Sequence, residues 1–205
     1  MMHLERKASA SEVEQLCQLF DRFHKTGKGV RQFLSGHLYA GSLRRGDFLL
    51  TSGTRCTHIY VIKSGVLRGF IREGEKDITT WITVENEIVA AISSFILQVP
   101  TIENIQALED CELLAISHED LEALYLSVPT FNIVGRKITE LYYTLAENRS
   151  FITRMQKAEN KYDLFLRHYG HLANRIPQKY IASFLGIATE TLSRVRQKAR
   201  KGSKT

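Results

Sequence analysis

The sequence predicts an α+β fold in which a β-rich region is preceded and followed by helices. Short β-type runs separated by glycines extend from about residue 38 to residue 116. Before and after this region, apolar residues recur at spacings of three and four, which is typical of helices packed on a core. A sharp change in charge near residue 157 indicates that the last helices form a distinct functional part.

Composition places the chain among globular proteins. It has 205 residues, 43% of them hydrophobic and 24% charged, which is enough to bury a core without metals or disulfides. No apolar run is long enough for a membrane span and the N-terminus is charged, so we expect a cytoplasmic protein with no membrane partner. The odd number and wide spacing of Cys17, Cys56 and Cys111 predict reduced thiols and no paired-cysteine metal site.

Residues 11–34 are predicted to form one or two entry helices, because their apolar residues recur at helical spacing. The β-rich region then contains six predicted strands: Phe48–Thr51, His58–Ile62, Val66–Ile71, Ile78–Val84, Ile102–Leu108 and Leu113–Ile116. Glycines separate several of these runs, where the chain must turn: Gly46, Gly53, Gly65 and Gly74. This pattern favours a sandwich, jelly roll or barrel, and without long helical segments between the runs a parallel α/β sheet is not expected.

A long helix is predicted from about residue 130 to residue 155, after a shorter helix capped by Ser117. Apolar residues continue along it at heptad spacing, which favours a parallel two-helix dimer over packing on its own domain. The predicted dimerisation residues are Val134, Ile138, Leu141, Leu145 and Ile152. Asn148 in the same seam either fixes the register or lies at a frayed edge.

A helix-turn-helix is predicted between Gln178 and Lys198. Ile181, Ala182 and Leu185 supply the inner face of the first helix, and Gly186 permits a tight turn. Thr189 is expected to cap the second helix. The outward residues of that helix are predicted to contact DNA: Thr189, Glu190, Ser193, Arg194, Gln197 and Lys198. A purely structural helical hairpin is the alternative.

Charge supports the DNA-binding interpretation. The chain has a formal net charge of +6, yet residues 157–205 alone contain 11 Lys or Arg against three acids. Such a concentration of positive charge on helix-forming sequence favours a polyanionic partner, and nucleic acid before membrane. A solvated charged surface is the alternative.

Taken from about residue 15 to residue 200, the chain resembles the Crp/Fnr family of bacterial transcription regulators. Arg45-Gly46-Asp47, Gly53 and the run Ile59–Gly65 resemble that family's cyclic-nucleotide-binding jelly roll, and Glu190–Arg194 resembles its recognition-helix motif. The resemblance implies a sensory jelly roll at residues 1–128, a dimerisation helix and hinge at 129–156, and a helix-turn-helix domain at 157–205. It also implies a homodimeric regulator of double-stranded DNA, with Glu190 and Arg194 reading bases, and leaves RNA polymerase open as a further partner.

The family's ligand chemistry does not carry over. Where cyclic-AMP binders place a ribose acceptor and a phosphate partner, this chain has Ala91 and Thr101, and Glu103 would repel a phosphate. We therefore expect no cyclic AMP control of the usual kind, and predict no cofactor and no metal. An iron–sulfur cluster is not expected with only Cys17 near the N-terminus. No residue excludes haem, although no histidine stands out as its ligand, so an altered ligand or no effector at all remain alternatives.

Enzymatic readings find less support in the sequence. A jelly-roll metalloenzyme of the cupin type would need a His-x-His pair with a following Glu, and no such pattern occurs. The phosphate-cradling loop ending in Lys-Ser/Thr and the Gly-x-Ser-x-Gly elbow are also missing. We therefore predict a regulator that is not an enzyme and that changes conformation at a hinge near residues 153–158.

Overall fold

The computed structural model describes residues 4–202, which divide into two compact units. The first unit comprises the residues up to Ile71 together with Ile82–Tyr142. The second comprises Arg72–Trp81 and the residues from Tyr143 onward. The β-hairpin around residues 72–81 therefore belongs to the C-terminal unit, a grouping that differs from the division at residues 128 and 156 expected from the sequence.

Two antiparallel sheets make up the β region, and the α+β prediction with an N-terminal jelly roll is confirmed. The first sheet has the order β1 (Leu4–Lys7), β2 (Tyr39–Leu43), β9 (Cys111–Ser117), β4 (His58–Ser64) and β7 (Ile88–Val89). The second has the order β3 (Phe48–Leu50), β8 (Asn104–Ala107), β5 (Leu67–Glu73) and β6 (Lys76–Thr83). Side chains of Ile62, Leu67 and Ile105 are fully buried, as expected of two sheets that share a core.

The glycines fall at turns as predicted. Gly46, Gly53, Gly65 and Gly74 all have positive φ, which L side chains rarely adopt. At Gly65 (φ +99°) a Cβ would lie 2.5 Å from the carbonyl oxygen of Asp110, so both conformation and space require glycine there. The sequence reading missed β1, β2 and β7, and it missed a short helix, α3 (Ile92–Leu97), because these segments are too short for a clear periodicity.

Helices cover one part of the first unit. The region predicted to hold one or two entry helices contains two, α1 (Ala10–Asp21) and α2 (Lys28–His37), and α4 (His118–Ser127) follows β9. The predicted cap of α4 is confirmed, since the Ser117 hydroxyl accepts a hydrogen bond from the Asp120 N–H at 3.0 Å. Their apolar faces share a core with β2, β9 and the start of the next helix, built from residues such as Leu16, Phe20, Leu34, Leu114, Leu124 and Phe131.

The long helix α5 runs from Phe131 to Arg154, close to its predicted bounds. The apolar residues that recur along one side of α5 differ in how far they are exposed. Val134 is buried in the core of the first unit and Ile138 packs against that core, while Ile152 is buried as well. Val134 and Ile138 therefore lie against the first unit, and Ile152 is buried in the second unit. Leu141 is 42% exposed and Leu145 is half-buried, so these two predicted dimerisation residues are the more accessible ones.

The second unit contains α6 (Ala158–Tyr169), a 3-10 turn (Gly170–Leu172), α7 (Gln178–Leu185) and α8 (Thr189–Gly202). Its core is aromatic: the rings of Phe165 and Phe184 lie 6.1 Å apart in edge contact, and Tyr169 meets Phe184 at 5.5 Å. The break between α5 and α6 falls within the predicted hinge at 153–158.

The hairpin of the second unit is hydrogen-bonded to α7. The Thr79 N–H donates to the Ser183 hydroxyl at 2.9 Å, and that hydroxyl donates to the Asp77 carbonyl at 3.0 Å. Ser183 thus bonds the edge strand β6 much as a neighbouring strand would. These hydrogen bonds hold the hairpin to α7 within the second unit.

Candidate nucleic-acid interface

The turn between α7 and α8 has the geometry of a tight helix-turn-helix. Gly186 ends α7 in the left-handed conformation at φ +62°, and its N–H donates to the carbonyls of Ala182 and Ser183. The Ile187 N–H then donates to the Ala182 carbonyl at 3.0 Å. These bonds close the C-terminal end of α7 and reverse the chain within a few residues. The glycine is required by this backbone conformation, as the sequence indicated.

Helix α8 begins one residue earlier than a Thr189 cap would require. Thr189 is its first helical residue, and the Ala188 carbonyl accepts the first hydrogen bond from the Leu192 N–H at 3.0 Å. Thr189 therefore lies inside the helix, and the expected cap is wrong. Leu192 and Val195 lie on the inner face of α8, where they are 0% and 7% exposed and pack against the rest of the unit. The opposite face of the helix is therefore directed outward.

The predicted DNA-contacting residues lie together on this outward face. Ser193 is partly exposed. The other five are exposed: Thr189, Glu190, Arg194, Gln197 and Lys198. Because they span nearly three turns of one helix, they form a continuous polar strip. Exposed side chains with both donors and acceptors can reach base edges and phosphates.

Neighbouring residues hold part of this strip in place. Arg194 Nη2 donates to Thr191 Oγ1 at 3.3 Å, one turn away. Lys198 Nζ lies 3.4 Å from Glu159 Oε1 at the start of α6. The pKa of Glu159 is lowered, first by its own backbone N–H and then by Lys198. Both side chains of this pair are largely in water, so Lys198 remains able to exchange Glu159 for a phosphate.

Two further exposed polar residues lie at the start of α7, outside the positions predicted from the sequence. Gln178 and Lys179 are exposed in the first turn of α7. In a helix-turn-helix the first helix crosses the DNA backbone, and unbonded N–H groups at a helix N-terminus attract phosphate. Pro177, directly before the first helical residue, is the sequence feature that marks this N-terminus.

In the first unit, the segment that resembles a nucleotide site is bonded to its own chain. Ala91 is 1% exposed and precedes α3, and Thr101 is 8% exposed. The Thr101 hydroxyl accepts from the Glu103 N–H at 2.9 Å, and the Ser94 hydroxyl accepts from the Cys56 N–H at 2.9 Å. These polar groups therefore stabilise the loop, and neither Ala91 nor Thr101 supplies the ionic contact that a cyclic nucleotide needs.

A buried guanidinium in the second sheet was not foreseen from the sequence. Arg68 is 3% exposed, donates to Gln106 Oε1 through Nη2 at 2.8 Å and lies 4.0 Å from the centre of the Phe70 ring. Arg68 and Gln106 are cross-strand partners of β5 and β8, which brings them onto one face. An Arg inside the apolar run Val66–Ile71 was the signal that could have found it.

Residues 4–202 contain no group of three His, Cys, Asp or Glu side chains placed to hold a metal ion. Within the same range, no helix combines the length and apolar character that crossing a bilayer requires.

Part of this chain matches a known domain family, and a larger part is similar to a known regulator. Residues 41–127 match the family model of the cyclic nucleotide-binding domain. The transcriptional activator protein Anr of Pseudomonas protegens is 26% identical over 166 residues, covering 75% of this chain and 67% of Anr.

Solved structures agree on the fold. FixK2 from Bradyrhizobium japonicum has a TM-score of 0.70 at 14% identity, covering 81% of this chain and 86% of FixK2. A Crp/Fnr-family regulator from Eubacterium rectale has a TM-score of 0.68 at 17% identity, covering 92% of this chain and 88% of that one. The chain therefore contains a segment that matches the cyclic nucleotide-binding domain, is similar to Anr, and shares the fold of Crp/Fnr regulators.

Proposed function

We propose that this regulator binds specific DNA sequences as a homodimer through α8. The observation that carries the proposal is the exposed strip on α8, whose six polar residues face outward while Leu192 and Val195 anchor the helix from behind. A helix presented in this way fits the major groove, where each base pair has its own pattern of donors and acceptors.

Within the strip, the residues divide by chemistry. Glu190 can accept from a cytosine amino group, and Arg194 can donate two hydrogen bonds to guanine O6 and N7. Lys198, together with Gln178 and Lys179 at the start of α7, is suited to phosphates. Glu190 and Arg194 then supply base specificity. The phosphate contacts of Lys198, Gln178 and Lys179 supply affinity that depends on salt concentration.

The homodimer rests on the middle of α5. Leu141 and Leu145 lie one turn apart on the same face of the helix and are the predicted seam residues that their own chain leaves accessible. Pairing two copies along this face would present two α8 helices to successive major grooves about 34 Å apart, on a near-palindromic site.

Control by cyclic AMP of the usual kind is not part of the proposal. The burial of Ala91 and Thr101, and the hydrogen bond of the Thr101 hydroxyl within its own chain, support a jelly roll that recognises a different effector or serves only to hold the dimer. An effector would shift the protein from one conformation to another only by binding the second conformation more tightly than the first.

The experiment that tests the function is selection from a pool of random duplexes with the full chain. We expect an enriched palindrome whose half-sites are centred about one helical turn apart, because a symmetric dimer reads a symmetric site. Enrichment of no sequence would contradict specific binding, and enrichment of single half-sites would contradict the dimer. Thr189→Ala, Glu190→Ala and Arg194→Ala variants in the same selection would show which base pairs each side chain reads.

A further inference from the structure

Lys161 is a buried lysine in α6 whose ammonium group joins the ends of two other helices. The residue is 6% exposed. Its Nζ donates to the Leu185 carbonyl at 2.8 Å and to the Thr153 carbonyl at 3.2 Å. Among residues 4–202, no carboxylate forms an ion pair with it, so two backbone carbonyls are the acceptors that its charge has in this unit.

Both carbonyls lie at the C-terminal ends of helices. Thr153 is the penultimate residue of α5, and Leu185 is the last residue of α7, directly before the Gly186 turn. Carbonyls in the last turn of a helix have no partner within the helix and carry the negative end of its dipole. A cation that bonds two such ends stabilises both, and it ties the end of the long helix to the turn that orients α8.

We propose that Lys161 is a positioning residue that fixes the direction of the recognition helix relative to the C-terminal end of α5. This inference rests on the proposed function, because the direction matters only if two copies of α8 must meet one DNA duplex. If α5 is the helix through which the copies pair, the angle between its end and the Gly186 turn sets the distance between the two α8 helices. Lys161 then determines which spacing between half-sites the dimer accepts, without touching DNA.

The test uses the full chain and the palindrome that the wild-type protein enriches. Binding is measured on that site, on versions with one base pair inserted or removed at the centre, and on a duplex with a single half-site. One base pair moves the half-sites by about 3.4 Å, so we expect the wild-type protein to bind the altered spacings roughly tenfold more weakly.

The Lys161→Met variant keeps the apolar stem and loses the donors. We expect its preference for the original spacing to fall to less than about threefold, with single half-site affinity within about twofold of the wild-type value. Lys161→Arg keeps a cation with several donors and should restore the preference. Lys157→Met, an exposed lysine one turn earlier, is the matched control and should behave as wild type.

The outcomes separate this inference from the function beneath it. If the wild-type protein shows no spacing preference, the proposed dimeric function fails. If the wild-type protein shows one and folded Lys161→Met retains it, Lys161 is only structural and the inference is overturned. Should Lys161→Met lack the wild-type circular dichroism spectrum, Lys161→Gln takes its place, and a wild-type spacing preference in that folded variant overturns the inference equally.

Discussion

The jelly roll of the first unit and helix α8 of the second unit differ in how far their polar residues are exposed. In the jelly roll, Arg68, Thr101 and Ser94 are buried and bonded to their own chain, although they lie within residues 41–127, which match the cyclic nucleotide-binding domain. In the second unit, the polar strip of α8 is exposed along its length. The difference teaches that burial, and not residue type, separates polar groups that stabilise a fold from polar groups available to a partner.

The largest effect is expected from substitutions of Leu141 and Leu145 in α5, whose side chains their own chain leaves accessible. Replacing both Leu141 and Leu145 with Glu would place two charges in the proposed contact between α5 helices, and we expect monomers that no longer hold palindromic DNA. Sedimentation velocity measures the mass. Tyr143→Glu is the control, because Tyr143 is 75% exposed and lies on the other side of the helix. A double variant of dimer mass would contradict the α5 pairing.

The next effect concerns the exposed strip. Arg194→Ala should cost roughly 1 to 3 kcal/mol on the selected site and relax its base preference, because a bidentate guanine contact is lost. Lys179→Ala, by contrast, should weaken specific and random DNA alike. Fluorescence anisotropy on both duplexes separates these cases, and thermal melting should be unchanged for both variants. Equal losses on the two duplexes for Arg194→Ala would show that it contacts phosphate only.

Glu12, a buried carboxylate of the first unit, should affect the stability of the fold and not its affinity for DNA. Glu12 is 4% exposed and bonded to Arg6 at 2.7 Å and to Lys63 at 2.7 Å. These contacts hold the pKa of Glu12 well below its usual 4.5, with Arg6 the largest cause. The Glu12→Gln variant should lose about 2 kcal/mol of unfolding free energy at neutral pH and keep its DNA affinity.

The sign of the pH dependence follows from the lowered pKa. The unfolded chain binds the proton more readily than the folded one, so the contribution of Glu12 is complete above the unfolded pKa and is lost as pH falls through the folded pKa. Denaturant unfolding of both proteins from pH 7 downward should therefore show the difference shrinking below about pH 4.5. A constant difference across this range would mean that the carboxylate is not the stabilising form.

The smallest expected effect is none at all. Isothermal titration with cyclic AMP should give no heat of specific binding, because Ala91 and Thr101 supply no ionic partner for a cyclic phosphate. A micromolar dissociation constant would show that the first unit binds this ligand without an ionic partner at Ala91 or Thr101, and would contradict the contrast between the units. Cyclic GMP serves as the control for binding through the ribose and phosphate alone.

Much of the architecture was predictable because it depends on local patterns. The glycine turns follow from the conformational freedom of Gly46 and Gly65, and the helix-turn-helix follows from Ala182, Gly186 and Leu192 at fixed spacing. The strip on α8 could also be predicted, since helical periodicity assigns inward and outward positions. The sequence by itself therefore determined the long helices, most of the strands, and helix α8 with its outward residues.

Only the tertiary structure decided which of the remaining residues face a neighbour. Heptad spacing could not distinguish Val134, buried in its own unit, from Leu141, which is open, because both positions satisfy the same periodicity. The bonds of Lys161 to Thr153 and Leu185 and of Ser183 to Thr79 join residues up to 104 positions apart. A local pattern carries no information about such contacts, since they arise from the packing of separate elements against one another.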